Sequence, residues 1–388
     1  MKSRFKNMDK ILFLLMLIYT ILGLVMVFSA SSMTAVLQYG RSESYFFVRQ
    51  LFFVIMAYVC GFIILFLPDK IIRYLKKMYK FIAYAAIIIL IITLTCTEPI
   101  NGANSWLKIG PISIQPSEFV KTMMVCFIAF AFNNPKKMFY KYKFLVPFIY
   151  AIICAGLIAA QPDLGTAMIL AITCFFMFIS LPIKDNKYAK LKIIAGVGAT
   201  ICALMFFMGS DILKNFLTEE QLSRLTYNNP CTRYSEKTGY QVCNGYIAIN
   251  NGGLFGVGLG NSTQKYLYLP EAYTDFIFPI VVEELGSVMA SIIIIGYLLI
   301  LFRILLIARH SETLTGSLLA YGTFSLITAH LLVNLLGVMA IIPLTGVPLP
   351  FLSSGGSFAF NLIILMFITL KVSIENKNIK LKREINNL

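Results

Sequence analysis

Charge is the scarcest property of this chain. Only 13% of its 388 residues are charged and 58% are hydrophobic, against about 25% and about 45–50% in soluble domains. That deficit excludes an ordinary soluble enzyme, a disordered chain and a coiled coil. Acidic residues are fewer still: 18 Asp and Glu against 33 Lys and Arg, a formal net charge of +15. In a soluble protein such a balance would suggest nucleic acid; in a membrane protein it asks where the positive residues sit. No CxxC and no Cys/His cluster occurs, which argues against a structural zinc site. No internal repeat of the kind that marks many secondary transporters is visible. Tryptophan occurs once.

What is present is a series of ten apolar stretches: 11–30, 51–67, 81–97, 114–132, 144–160, 164–181, 193–210, 276–301, 314–341 and 351–370. Their lengths suit helices crossing a bilayer, and lipid offers backbone groups no other partners. Only four charged residues fall inside them: Glu118, Lys121, Glu283 and Glu284. The expected fold is all-α, a polytopic membrane domain of ten transmembrane helices spanning 1–388. A large loop, 211–275, separates helices seven and eight on the extracytoplasmic side. Residues 11–30 resemble a signal peptide, with Lys2, Arg4, Lys6 and Lys10 before them and Ser29-Ala30-Ser31 at the end. Retaining them as a span completes an even count.

Placing the N-terminus inside puts 24 Lys and Arg on cytoplasmic segments and 8 outside, or 3 outside when the 65-residue loop is set apart. Long loops translocate largely regardless of charge. Both termini are therefore expected in the cytoplasm. The inner loops are short and basic, which topology explains. Function is expected on the outer side, in NGANSWLKIGPISIQPSEFVK (101–121), in loop 211–275, and in PLTGVPLPF (343–351) running into SSGGS (353–357).

Ionisable residues inside a membrane are costly and so are functional candidates. Glu118 and Lys121 share one helix face and can pair; either the pair is structural or Lys121 faces a polar cavity and meets an anionic substrate. Glu283 and Glu284 are about 100° apart around a helix, so one is expected in a cavity and the other with a partner. His330 and Asn334, one turn apart, read as a hydrogen-bonded structural pair. Asp163 either caps the following helix or takes part in chemistry. Asp275, in LPEAYTDFIFPIVVEELG (269–286), stands where the outer loop enters span 276–301; an N-cap and a half-desolvated general base are equally consistent with its position. GGLFGVGLG (252–260) has no preceding strand and an extracytoplasmic address, so nucleotide binding is rejected in favour of close packing of backbone on backbone or ligand. Six cysteines lie in spans. Cys231 and Cys243 share the outer loop, where a disulfide is permitted.

NGANSWLKIGPISIQPSEFVK, QPDLGTAM, GGLFGVGLGNSTQKYLYLPEAYTDFIFPIVVEELG and PLTGVPLPFLSSGGS together resemble the signatures of the SEDS family (shape, elongation, division and sporulation), in family order and across essentially the whole chain. The resemblance implies a peptidoglycan glycosyltransferase of the bacterial cytoplasmic membrane. Such an enzyme polymerises lipid II, releasing undecaprenyl pyrophosphate, beside a class B penicillin-binding protein within the division or elongation machinery. Asp275 falls on the family's catalytic acid and would act as general base or hold a divalent cation, Mg or Mn; no organic cofactor is implied. Expected substrate contacts are Glu118, Lys121, Trp106, Asp163, Arg224, Lys265, Glu283, Ser353 and Ser357, with Lys121, Arg224 and Lys265 neutralising pyrophosphate. Trp106 would be an aromatic platform. Tyr273 stands where the family usually has His, Asn244-Gly245 where Gln-Ser or Asn-Ser is common, and Ser354 where Tyr is usual. The loop sequence leans towards the division and sporulation branch. A lipid II flippase and a non-catalytic scaffold are the alternatives, and Asp275→Ala separates them from the enzyme.

Overall fold

The computed structural model describes residues 7–68, 74, 76–97, 105–110, 112–133, 140–182, 196 and 229–386. Among them the apolar stretches become helices: α1 (Lys10–Leu37), α2 (Tyr45–Phe66), α3 (Tyr79–Cys96), α4 (Pro116–Ala131), α5 (Val146–Ala159), α6 (Leu164–Ser180), α8 (Ile277–Arg309), α9 (Leu314–Val338) and α10 (Gly356–Asn386). A further helix, α7 (Lys237–Gly252), belongs to the large loop. Six of these, α1, α2, α3, α8, α9 and α10, are long and apolar enough to cross a membrane. The expected seventh span, 193–210, lies outside the described residues.

Which helix faces lipid follows from side-chain burial. Ile292, Ile295, Leu298, Leu299 and Phe302 of α8 are exposed, as are Ile55, Val59 and Ile63 of α2. By contrast, α10 and α9 are mostly enclosed. They form the centre of the bundle, α10 packing on α2 and α9, and α9 on α6 and α8. Lipid is as apolar as leucine, so close packing and hydrogen bonds rather than the hydrophobic effect hold such helices together. Tyr19 on Tyr297, with ring centroids 4.7 Å apart, and Phe62 on Phe367, 5.1 Å apart, are examples.

Three departures from regular helix shape the side that carries the loops. First, 107–114 is not plain loop: Leu107–Ile109 (β1) and Ile112–Ile114 (β2) form a small antiparallel hairpin, held to α2 by Arg49, which donates to the Ser113 carbonyl at 3.1 Å. Second, the segment 343–352 does not lie over the bundle but enters it. Val347, Leu349, Phe351 and Leu352 are buried. Gly23 and Gly165 make room: a Cβ there would stand 2.0 Å from the Phe351 carbonyl oxygen and 2.5 Å from that of Thr345. Third, α8 is broken at Gly286 (φ 82°, ψ 165°).

Candidate active site

Asp275 sits at the mouth of α8. The helix takes Phe276 as its N-cap residue, so Asp275 stands one position outside it. Its side chain is buried, with 8% of the residue exposed. The Thr274 hydroxyl bridges to it, 3.1 Å from Oδ1 and 2.6 Å from Oε2 of Glu271. Its backbone carbonyl accepts from Asn334 Nδ2 at 2.7 Å, and the same amide donates to the Val347 carbonyl at 2.8 Å. Asn334 therefore fastens Asp275 to the inserted segment. Its Oδ1 is buried with no hydrogen-bond partner among the described residues, leaving one acceptor beside the acid.

One turn along α9 lies His330. The expected His330–Asn334 bond is replaced by two separate tasks. His330 Nε2 is 2.9 Å from Lys121 Nζ and its Nδ1 is 3.1 Å from the Pro348 carbonyl. An ammonium only donates, so Nε2 accepts, Nδ1 carries the proton, and the ring is neutral. Lys121 also donates to Glu118 at 2.9 Å, both side chains being almost fully buried. Phe358 stacks on His330 at 4.5 Å and lies 5.6 Å from the ammonium. A small cavity of about 10 Å³ adjoins, lined in part by Glu118, Lys121, Thr122 and Asn361. Lys121 uses two of its three N–H donors on described residues.

Asp163 caps α6, accepting from the Thr166 amide at 3.1 Å, and its other oxygen accepts from Gln115 Nε2 at 2.8 Å. Gln115 precedes α4, and its own amide donates to Ser357 Oγ at 3.1 Å. Ser353 Oγ accepts from the Leu349 amide at 2.8 Å. One set of hydrogen bonds thus joins the starts of α4, α6 and α10 through Gln115, Asp163 and Ser357, while Asp275 through Asn334, Lys121 and Glu118 through His330, and Ser353 directly, are each bonded to the inserted segment.

Glu283 and Glu284 belong to a second cluster, about two turns along α8 from Asp275. They point apart. Glu283 accepts from Asn251 Nδ2 (3.2 Å), the Thr263 amide and hydroxyl (3.3 and 2.9 Å) and Ser262 Oγ. It organises the segment 261–264. Glu284 accepts from Ser29 at 2.6 Å and pairs with Lys265 at 3.4 Å. Lys265 also donates to the Gly260 carbonyl. Lys265 is thus held in a buried strut between α8 and the segment 260–265. Trp106 is half-buried just before the hairpin, and Arg224 lies outside the described residues. Tyr273 packs on Phe46 with ring centroids 4.6 Å apart and the rings tilted by 36°. Burial, then the Glu271 carboxylate, push its phenol well above the usual tyrosine range. Cys231 and Cys243 form a disulfide joining the 3₁₀ turn Pro230–Arg233 to α7.

A reading based on charge passes over the uncharged polar groups. Gln115, Asn334 and Thr274, with the exposed Glu271, complete the site. Gln115 and Thr274 did carry a signal, an amide or hydroxyl at the edge of an apolar run.

A bundle of apolar helices with a buried carboxylate at the mouth of one and an inserted loop beside it defines a polytopic membrane protein with a site at one membrane face. The family model described as "Cell cycle protein", covering FtsW, RodA and SpoVE, matches residues 9–378, and the chain belongs to that family. It is 37% identical to the probable peptidoglycan glycosyltransferase FtsW of Bacillus subtilis, over 98% of this chain and 95% of that one. It is 33% identical to stage V sporulation protein E of the same organism, over 96% and 99%. Among solved structures, its fold matches a chain from work on how a peptidoglycan synthase complex coordinates polymerization and crosslinking (TM-score 0.72, 22% identity, 94% and 97% covered). It also matches RodA of Thermus thermophilus (TM-score 0.66, 24% identity, 94% and 96% covered).

Proposed function

We propose that this chain is the peptidoglycan glycosyltransferase of its membrane, polymerising lipid II at the outer face with Asp275 as the acting carboxylate. The observation that carries this reading is the setting of Asp275: a buried acid fixed through its own carbonyl by Asn334, on the same α9 face from which His330 holds Lys121. Asp275 takes the proton from the 4-hydroxyl of the acceptor GlcNAc as that oxygen attacks the anomeric carbon of the donor MurNAc. The C–O bond to undecaprenyl pyrophosphate breaks, and configuration inverts. The neighbouring Asn334 Oδ1 is an acceptor for a substrate hydroxyl.

The leaving pyrophosphate needs positive charge. Lys121 supplies an ammonium with a remaining donor, and Arg224 is the second candidate. Lys265, engaged by Glu284 and Gly260, supports the loop instead. Among the described residues no group of three metal-ligating side chains occurs. Asp275 and Glu271 nevertheless flank one hydroxyl, an all-oxygen set that suits Mg²⁺ or Mn²⁺ bound through one or two carboxylates with water and substrate phosphate. Such a cation would neutralise the pyrophosphate as it departs. A class B penicillin-binding protein is the proposed partner, and both termini are placed in the cytoplasm.

The test uses purified chain with its transpeptidase partner and lipid II. Wild type should form glycan strands, and Asp275→Ala should form none while still binding the partner. Normal polymerisation by Asp275→Ala would overturn the assignment. Loss of activity in chelator, restored by added Mg²⁺ or Mn²⁺, would separate the cation role from that of a simple base.

A further inference from the structure

The glycine-rich segment 252–260 is not used by the reaction above, and its geometry is unusual. It docks edge-on into the break in α8. The Val257 and Gly258 amides donate to the Glu283 and Glu284 carbonyls at 2.9 and 3.0 Å, and the Ser287 and Val288 amides donate back to the Gly253 and Leu254 carbonyls at 3.0 and 3.2 Å. The groups freed by the kink are thereby satisfied. A Cβ on Gly256 or Gly286 would stand 2.3 Å from the Glu284 or Leu254 carbonyl oxygen, so the contact is backbone on backbone. The residues 252–260 carry no polar side chain, yet Leu254, Phe255 and Leu259 are 64%, 83% and 53% exposed.

The depth of this tip follows from α8. Arg303, paired with Asp9 at the start of α1, marks one membrane boundary. Val288 lies fifteen residues away, about 22 Å along the helix, in a hydrocarbon layer about 30 Å thick; any tilt places it deeper. Val288, Met289 and Ile292 are themselves exposed along the lipid side, and the tip is hydrogen-bonded to the first of them. Non-helical backbone survives at that depth only when its polar groups are satisfied by protein, and Gly253, Leu254, Val257 and Gly258 meet that condition by bonding to α8.

We propose that Leu254, Phe255 and Leu259 form a re-entrant tip inserted among the acyl chains of the leaflet on the loop side. The tip ties α7 and the segment 261–275 to the bilayer, the surface from which a lipid-linked substrate must arrive. This goes beyond the proposed reaction and does not depend on it.

The chain's single tryptophan makes the test direct. Phe255→Trp in a Trp106→Phe background gives one indole at the tip, with Leu259→Trp as a second reporter should the first fail to fold. In phosphatidylcholine vesicles, phosphatidylcholine brominated on its chains should quench the emission severalfold, and aqueous iodide should barely affect it. Tyr234→Trp in the same background is the water-exposed control, quenched by iodide. Emission quenched by iodide and insensitive to brominated lipid would overturn the proposal. So would an indole reached by neither quencher, which would mean that a second copy covers the tip.

Discussion

At the residue scale, the Lys121–Glu118 pair is the most demanding feature of the site. Both charges are enclosed, so each depends on the other. Removing one partner of a buried pair costs about 3–5 kcal/mol because a lone charge remains, whereas removing both is far cheaper. Lys121→Met or Glu118→Gln alone should therefore lower thermal stability in detergent strongly. The double variant should recover most of the loss, a coupling that a double-mutant cycle reads directly. Additive losses would mean that the pair is solvated. Tyr273 makes the opposite case. With its phenol raised by burial and by Glu271, it stays neutral across the working range and is not expected to relay a proton. Tyr273→Phe should keep the polymerisation rate within about threefold. A raised folded pKa contributes stability that is complete below the free tyrosine value near 10 and is lost as pH rises above it. Wild type should thus lose more stability than Tyr273→Phe at alkaline pH, measured as thermal midpoints across a pH series. Much of the site was legible in the sequence, because a carboxylate or ammonium in an apolar run is expensive and rare. Gln115 was not, and Asn334 was read only as a partner of His330, because an amide carries no such cost once bonded, and its partners are set by loops whose path only the fold determines.

At the scale of elements, hydropathy located the nine described apolar helices of the bundle and misjudged the ends of some. The stretch 276–301 continues as helix to Arg309, and 351–370 is helix only from Gly356 but runs on to Asn386. Hydropathy marks what lipid touches, while backbone hydrogen bonding carries α8 and α10 on into charged residues. The late start of α10 comes from the inserted segment, whose apolar PLTGVPLPF reads like the beginning of a span. The break at Gly286 was illegible for a related reason: one glycine in a helical pattern is ordinarily tolerated, and only the docked segment 253–258 reveals its use. Gly286→Ala and Gly256→Ala both force a Cβ against a carbonyl oxygen at 2.3 Å from a positive φ. Each should cost about 3 kcal/mol or more, combining strain with lost backbone bonds. Gly337→Ala, in α9 with its nearest neighbour at 3.7 Å, should be neutral or stabilising by up to about 1 kcal/mol. Thermal midpoints of the three variants check this; equal behaviour would show that the docked segment is not needed.

For the whole molecule, orientation is the property on which the outer-face reaction rests, and two independent facts bear on it. Asn7 donates to Asn378 at 2.8 Å and the Asp9 amide to Ser373 at 3.1 Å, so the two ends of the bundle meet on one side, which is what the even count expected from the sequence requires. Arg303 with Asp9 and Arg383 with Glu312 stand on that side too. The site, the hairpin and the inserted segment lie at the other. The sequence predicts the orientation: 24 Lys and Arg fall on the segments it assigns to the termini's side, against 3 on the opposite short loops, and the rule that positive residues stay in the cytoplasm then puts both termini there. A fluorescent protein that matures only in the cytoplasm should glow when fused after Leu388, and alkaline phosphatase fused after Gly40 should be active. The converse pattern would place Asp275 on the cytoplasmic face, where a polymer for the wall cannot be laid down. A glow with inactive phosphatase, or active phosphatase without a glow, would put Gly40 and Leu388 on one side and require an even number of crossings between them, against the contacts that join Asn7 to Asn378.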